Sequence, residues 1–276
     1  REPFRRNTAT CIAFATAYIK QLDPNAVCVV TPADHMILNE MRFVKSVQTA
    51  VDFAAVNDAL VTVGVKAHKP ETAFGYIQFG DPVGDNYPQL HLVKTFTEKP
   101  NLEMAQIFFE CGEFVWNSGV FAWSISSIEK ALQKFLPNTQ KQFTMLDAIP
   151  RSHWTRESVR MAYDECENIS IDYGVMERAQ NVYVELTDAA WSDLGSWEAI
   201  YEQGQKDQNG NTSISGQVIL KGSKDCLVDI PAGKTCIADG MDGYMIVDNG
   251  EMLLICPRSK SHLTSSYAAE ISAATE

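Results

Sequence analysis

Ala26-Val27-Cys28-Val29-Val30-Thr31-Pro32-Ala33-Asp34-His35 is a short apolar run that stops at a proline and delivers an acid two residues later. A β-branched run of that length, closed by proline, reads as a buried strand opening into a loop. Upstream, Ile12, Ala15, Ile19 and Leu22 mark one face of a helix over residues 10–22, which Asp23-Pro24-Asn25 breaks. Downstream, Phe43, Val44, Val47, Ala50, Val51 and Ala54 fall at helical spacing over residues 41–55, behind an Asn39 cap. Residues 60–65 form the next buried strand. This alternation predicts a three-layer α/β domain of Rossmann-like type with a mostly parallel sheet. Further strands are expected at 92–96, 120–123 and 182–186, and helices at 102–111, 125–135, 156–163 and 196–203.

The pattern changes after Gln208-Asn209-Gly210-Asn211. Five short β-rich runs (217–220, 226–230, 235–238, 244–247 and 252–256) follow with only turns between them. They predict a small β-rich module, either a few turns of a β-helix or a compact sandwich. The expected domains are therefore residues 1–210 and 211–276. The tail after His262 reads as a short helix or as disorder.

A formal net charge of -12 argues against a broad nucleic-acid or anionic-membrane surface. No apolar stretch approaches the ~20 residues of a membrane span, and no signal peptide is evident, so a cytoplasmic protein is expected. The seven cysteines include no CxxC pair and several lie inside apolar runs, as reduced buried thiols do. Neither they nor the five histidines show zinc-ligand spacing, and no structural metal is expected. The triplets Asn168-Ile169-Ser170 and Asn211-Thr212-Ser213 read as chance matches to a glycosylation signal.

Several constellations stand at strand ends, where open α/β sheets bind ligands. Asp34, after Pro32 and Ala33, is placed to ligate Mg²⁺ while the neighbouring backbone meets a nucleotide; the plainer alternative is a turn cap. Asp193, in Trp191-Ser192-Asp193-Leu194-Gly195-Ser196-Trp197, presents the same choice between a metal ligand and a helix cap. Glu98-Lys99-Pro100 offers an acid and a base for a hydroxyl and a phosphate, or simply a solvated pair. In Trp116-Asn117-Ser118-Gly119 the amide suits a vicinal diol and the glycine permits close backbone approach, although an ordinary turn has the same composition. Gly75, in Phe74-Gly75-Tyr76-Ile77, and Asp172, in Ser170-Ile171-Asp172-Tyr173, are weaker signals of the same kind.

Taken in order, and with Arg6-Asn7-Thr8-Ala9 before them, these motifs resemble the mannose-1-phosphate guanylyltransferase (GDP-mannose pyrophosphorylase) family over residues 1–210. The likeness weakens in the β-rich tail. The resemblance implies in-line attack by mannose 1-phosphate on the α-phosphorus of GTP, with Mg²⁺ held by Asp34 and Asp193. Lys99 would contact the sugar phosphate, Glu98 and Asn117 the mannose hydroxyls, and Gly75 and Asp172 the sugar side of the site. Glu2 stands where relatives read the base edge; its acceptor-only carboxylate suits guanine, with Asn7 and Thr8 shaping the same loop. The family's opening strand and glycine-rich loop do not precede Arg1, so the chain is expected to be an N-terminally incomplete form whose own activity is in question. Two other readings remain open at this stage. One is a pyrophosphorylase for another hexose 1-phosphate or nucleotide; the other is a non-catalytic module that binds a GDP-sugar. A homodimer is the expected assembly.

Overall fold

Asn7–Lys20 (α1) opens the chain, followed by Val27–Val30 (β1), Met36–Ile37 (β2), Glu40–Val56 (α2) and Leu60–Lys66 (β3). This computed structural model describes residues 2–189 and 191–274. Then come Tyr76–Gly84 (β4), Tyr87–Thr97 (β5), Leu102–Cys111 (α3), Phe114–Ser124 (β6), Ile125–Phe135 (α4), Pro137–Asp147 (α5), Arg156–Asp164 (α6), Val182–Thr187 (β7) and Trp191–Ser192 (β8). The helix starts follow local chemistry: Asn39, Asn101 and Ser124 each accept a backbone N–H from the first turn. Thr155 and Ser158 form a reciprocal capping box on α6.

The chain divides into two units, one of Arg1–Ala33 and Ile37–Trp191, the other of Asp34–Met36 and Ser192–Glu276. The first is built on a six-stranded sheet of order β1-β6-β3-β7-β5-β4, in which β4 also pairs with β6. The expectation of a mostly parallel sheet is corrected here. The sheet is mixed, and β3 with β7 is its only parallel pairing among the described residues. Strand β6 runs back between β1 and β3, antiparallel to both, and the β4–β5 hairpin adds two more reversals. A run of buried apolar residues fixes a strand but carries no direction, which is why the sequence pattern missed this.

Helices cover both faces. On one, α1, α4, α5 and α6 bury Ile12, Ile128, Leu132, Phe143 and Tyr163 against Leu60, Trp123, Val182 and Val184. On the other, Ala50, Phe53 and Ala54 of α2 close over Val61, Leu90 and Ala122. A third cluster of Tyr76, Phe108, Trp116 and Trp191 lies beside the motif-bearing strands. Besides the two-residue strands β2, β8 and Thr212–Ser213, two longer elements were not expected. Gly80 and Pro82 make β4 read as a loop, and α5 begins at Pro137 with no side-chain cap.

The second unit holds Trp197–Gln203 (α7), Thr212–Ser213 (β9), Gln217–Lys221 (β10), Leu227–Asp229 (β11), Thr235–Asp239 (β12), Tyr244–Asp248 (β13), Leu253–Pro257 (β14) and Thr264–Ala274 (α8). Its ladders are parallel: Gln217 lies opposite Thr235, and Leu227 lies between Thr212 and Met245. Short parallel strands joined by turns make this unit the β-rich region that was expected. Strand β14 then turns back antiparallel on β13.

Asn211 is the internal strut of this unit. Its buried side chain donates to Asp207 and to the Ser223 carbonyl, and accepts from the Cys226 amide. An amide so committed is no glycosylation acceptor. Asn211→Ala strands the Cys226 N–H and the Ser223 carbonyl, and is expected to cost this unit about 2–3 kcal/mol. Urea unfolding, with hydrogen exchange at the Cys226 amide, measures it.

Candidate functional site

Strand β6 does not run straight. Its register against β3 shifts between Thr62 and Gly64, and the surplus residues form a bulge within Ser118-Gly119-Val120, just after Asn117. Gly119 takes φ of +72°, and a Cβ there would press the Pro32 ring at 3.3 Å, so the position calls for glycine. The Ser118 hydroxyl donates to the Val63 carbonyl and accepts from the Val120 amide, at 2.7 and 3.2 Å. Ser118 thus holds the bulge closed and is itself buried.

The bulge aims Asn117 at Asp172. Asn117 Nδ2 donates to Asp172 Oδ1 at 2.9 Å, while its Oδ1 accepts from the Gly119 amide and faces the Thr62 hydroxyl at 3.0 Å. Its backbone N–H reaches the Gly75 carbonyl at 2.8 Å. Gly75 in turn fits under Glu98: a Cβ there would overlap Glu98 Oε2 and come within 3.3 Å of Asn117 Cβ. Four motifs far apart in sequence therefore converge on one cluster of Gly75, Glu98, Lys99, Asn117 and Asp172.

Electrostatics make the cluster unusual. The Glu98 side chain is only 7% exposed, and its Oε2 is buried with no hydrogen-bond partner. Lys99 Nζ pairs with the other oxygen. Burial, with Glu98 adding to it, pushes the Asp172 carboxyl up to about 6, against the pull of its own backbone amide, Asn117 and Lys99. Burial works against the Lys99 ammonium too, but Glu98, then Asp172 and Tyr173, outweigh it and hold its pKa above the usual range. Lys99 also sits at φ +46°, a left-handed conformation that non-glycine residues seldom adopt.

Asp172 opens a π-helical turn, Asp172–Met176, a deviation that concentrates at functional sites. The segment leading into it is stitched to the chain's beginning: the Ile171 amide donates to the Thr8 hydroxyl, and the Ala9 amide to the Ile169 carbonyl. Asn7, at φ +64°, accepts from the Thr8 amide. Asn7 and Thr8 thus position the approach to Asp172. Glu2 lies elsewhere, accepting from the hydroxyl of the buried Tyr163 at 3.1 Å.

In the second unit, Asp34 and Asp193 act on the same side chain. Burial lowers the His35 pKa, and both carboxylates oppose that shift. Asp193 folds back over its own loop, where a Cβ on Gly195 would sit 2.6 Å from Asp193 Oδ2. Leu194 between them has φ +47°. The helix cap is Ser196, which accepts from the Ala199 amide, so the capping role considered for Asp193 belongs to its neighbour. No group of three or more His, Cys, Asp or Glu suited to a metal occurs among the described residues. Two carboxylates alone fit Mg²⁺, which keeps waters and binds substrate phosphates, and do not fit a protein-only metal cage. Pro32 and Ala33, in the first unit, contribute no side-chain polar group.

Three supporting residues were not anticipated. Thr62 faces Asn117, Glu177 accepts from the Glu98 amide at 2.8 Å, and the Tyr173 hydroxyl reaches the Glu98 carbonyl at 3.4 Å. Thr62 left a trace as a polar residue inside the apolar run at 60–65, and Tyr173, which its motif suggested as core packing, is exposed instead.

The nucleotidyl transferase family profile matches residues 1–210. The chain belongs to that family. It is 32% identical to a mannose-1-phosphate guanylyltransferase of Escherichia coli over 93% of its length, covering 56% of that relative. It is 35% identical to one of Salmonella montevideo, over 92% of this chain and 54% of the relative. The chain thus spans about half the length of these curated relatives. A crystal structure from Thermus thermophilus, described as a mannose-1-phosphate geranyltransferase, superposes with a TM-score of 0.87 at 27% identity, over 98% of this chain and 77% of that one. The fold is accordingly the α/β nucleotidyltransferase fold with a mixed central sheet, followed by a β-rich region. No helix among the described residues is long and apolar enough to cross a membrane.

Ser118 was expected, with Asn117, to contact the substrate; in the structure its bonds are those of a clamp on the bulge. Ser118→Ala is expected to lower unfolding free energy by about 2 kcal/mol, read from the urea midpoint. A residue serving only a ligand would leave that midpoint unmoved.

Proposed function

We infer that this nucleotidyl transferase moves GMP from GTP to mannose 1-phosphate, releasing pyrophosphate. The observation that carries the reading is the buried, unpartnered Glu98 Oε2 beside Lys99, Asn117 and Asp172. A buried acceptor without a donor is costly unless a ligand satisfies it. A sugar hydroxyl is such a donor, and the neighbouring ammonium supplies a counter-charge for a sugar phosphate. The mannose-1-phosphate guanylyltransferases at 32–35% identity favour mannose and guanine among the possible substrates.

In the reaction a phosphate oxygen of mannose 1-phosphate forms a bond to the α-phosphorus of GTP. The bond from that phosphorus to the bridging oxygen breaks, and pyrophosphate leaves with the electron pair. No covalent enzyme intermediate is required, so the residues act by positioning and by charge. Glu98 orients the sugar through its hydroxyls, and Lys99 holds the phosphate that attacks. Asn117 keeps Asp172 in place. Gly75 leaves room for the Glu98 carboxylate to pack against it. Asp34 and Asp193 would hold Mg²⁺, which supplies charge neutralisation for nucleotide phosphates when bound. Base reading by Glu2 would require it to release Tyr163.

The test is pyrophosphate release with GTP, mannose 1-phosphate and Mg²⁺, on this chain and on the chain extended with the family's glycine-rich segment. Release is expected to depend on both substrates and to fall about a hundredfold in Lys99→Ala. Release from neither form, with folding intact, overturns the reading.

A further inference from the structure

A cavity of about 660 Å³ lies in the first unit, and no residue of the Glu98 cluster lines it. It is bordered by the C-terminal half of β7, the end of β3, and residues of α2, α3, β4 and β6. Its volume is in the range of small-molecule sites. The lining is graded from inside to outside. Glu185 is buried, 5% exposed, and its Oε2 has no hydrogen-bond partner. Phe79, Phe109 and Phe114 supply aromatic surface around it. Arg42, Lys45 and Lys66 are exposed, and only Arg42 is committed to an ion pair, with Asp188. Lys45 and Lys66 have no ion-pair partner among the described residues.

A carboxylate placed in a buried strand position is anomalous. Its neighbours across the sheet are Val63 on β3 and Leu90 on β5, both apolar. Burial pushes Glu185 up to about 7, with Lys45 opposing. An acid kept at that cost without a partner suits a ligand that brings its own N–H donors. The three linings then define complementary parts of one molecule. An acceptor inside calls for ring N–H groups, phenyl surfaces for a planar ring, and unpaired lysines outside for an anion.

We propose that this cavity is a second nucleotide site, taking a purine nucleoside phosphate with its base toward Glu185 and its phosphate at Lys45 and Lys66. Guanine fits best, because its N1–H and N2–H₂ groups can both donate to one carboxylate. The site is separate from the proposed catalytic cluster and does not depend on that assignment.

The probes are GMP, AMP and inorganic phosphate, titrated calorimetrically, and 8-azido-GMP for photolabelling with peptide mapping. Wild type is expected to bind GMP more tightly than AMP, and phosphate weakest. Glu185→Gln and the Lys45→Ala/Lys66→Ala pair are each expected to weaken GMP about tenfold, while Lys99→Ala leaves that binding unchanged. Glu185→Gln removes a buried charge at constant shape, so loss of folding does not confound it. Photolabel on peptides carrying Phe79, Phe109 or Phe114 is the expected result. Label confined to the segment around Pro32, or GMP affinity unchanged in both cavity variants, overturns the proposal and leaves the catalytic reading untouched.

Discussion

Two carboxylates, Glu98 and Asp172, are held together away from water, and the surroundings of the cluster are organised to permit it. Like charges in a desolvated place repel, and each loses hydration as well. Lys99 answers part of that cost at one Glu98 oxygen, and Asn117 answers part of it at Asp172. The remainder shows as a raised Asp172 pKa and an unpartnered Glu98 Oε2. Binding sites commonly carry such costs, because groups arranged for a ligand are not arranged for the empty fold.

The fold supplies the constraint through irregularities more than through regular elements. The bulge in β6 turns Asn117 toward Asp172, and Ser118 and Gly119 exist to make that bulge possible. The π-helical turn sets the position of Asp172, and Thr8 ties down the residue before it. Lys99 and Leu194 both stand in left-handed backbone within motifs that bear candidate acids. Strain gathered at these positions has a consistent reading: surrounding packing holds them where local preference would not.

The regular elements were legible because their signals are local. Helices at 102–111 and 125–135 followed from apolar spacing, and the capped start of α2 from Asn39, whereas the Asn101 and Ser124 caps were seen only in the structure. Sheet direction was not legible, since β6 looks the same read in either sense and only its partners β1 and β3 reveal that it runs back between them. At the site, the motif acids and Gly75 could be named from sequence, but not their division of labour. Asn117, read as a ligand contact, spends its amide on Asp172, Gly119 and Thr62. Glu177 and Tyr173 support Glu98 from a segment about eighty residues away, which no local pattern signals. Glu185 sat unnoticed inside an apolar strand, although a charged residue there was itself the clue.

Desolvation of Asp172 beside Glu98 has a thermodynamic signature. A carboxyl whose folded pKa is raised from 3.8 to about 6 binds its proton more tightly in the folded state. Its cost to stability is therefore absent below the unfolded pKa, grows between the two values, and is complete above the folded one. Urea unfolding of wild type and Asp172→Asn across pH measures this directly. The variant is expected to be about equal to wild type near pH 4 and more stable by about 2 kcal/mol above pH 7, after allowance for solvent screening. A difference that does not change with pH would contradict this expectation, and would mean that the two carboxylates share no desolvated site.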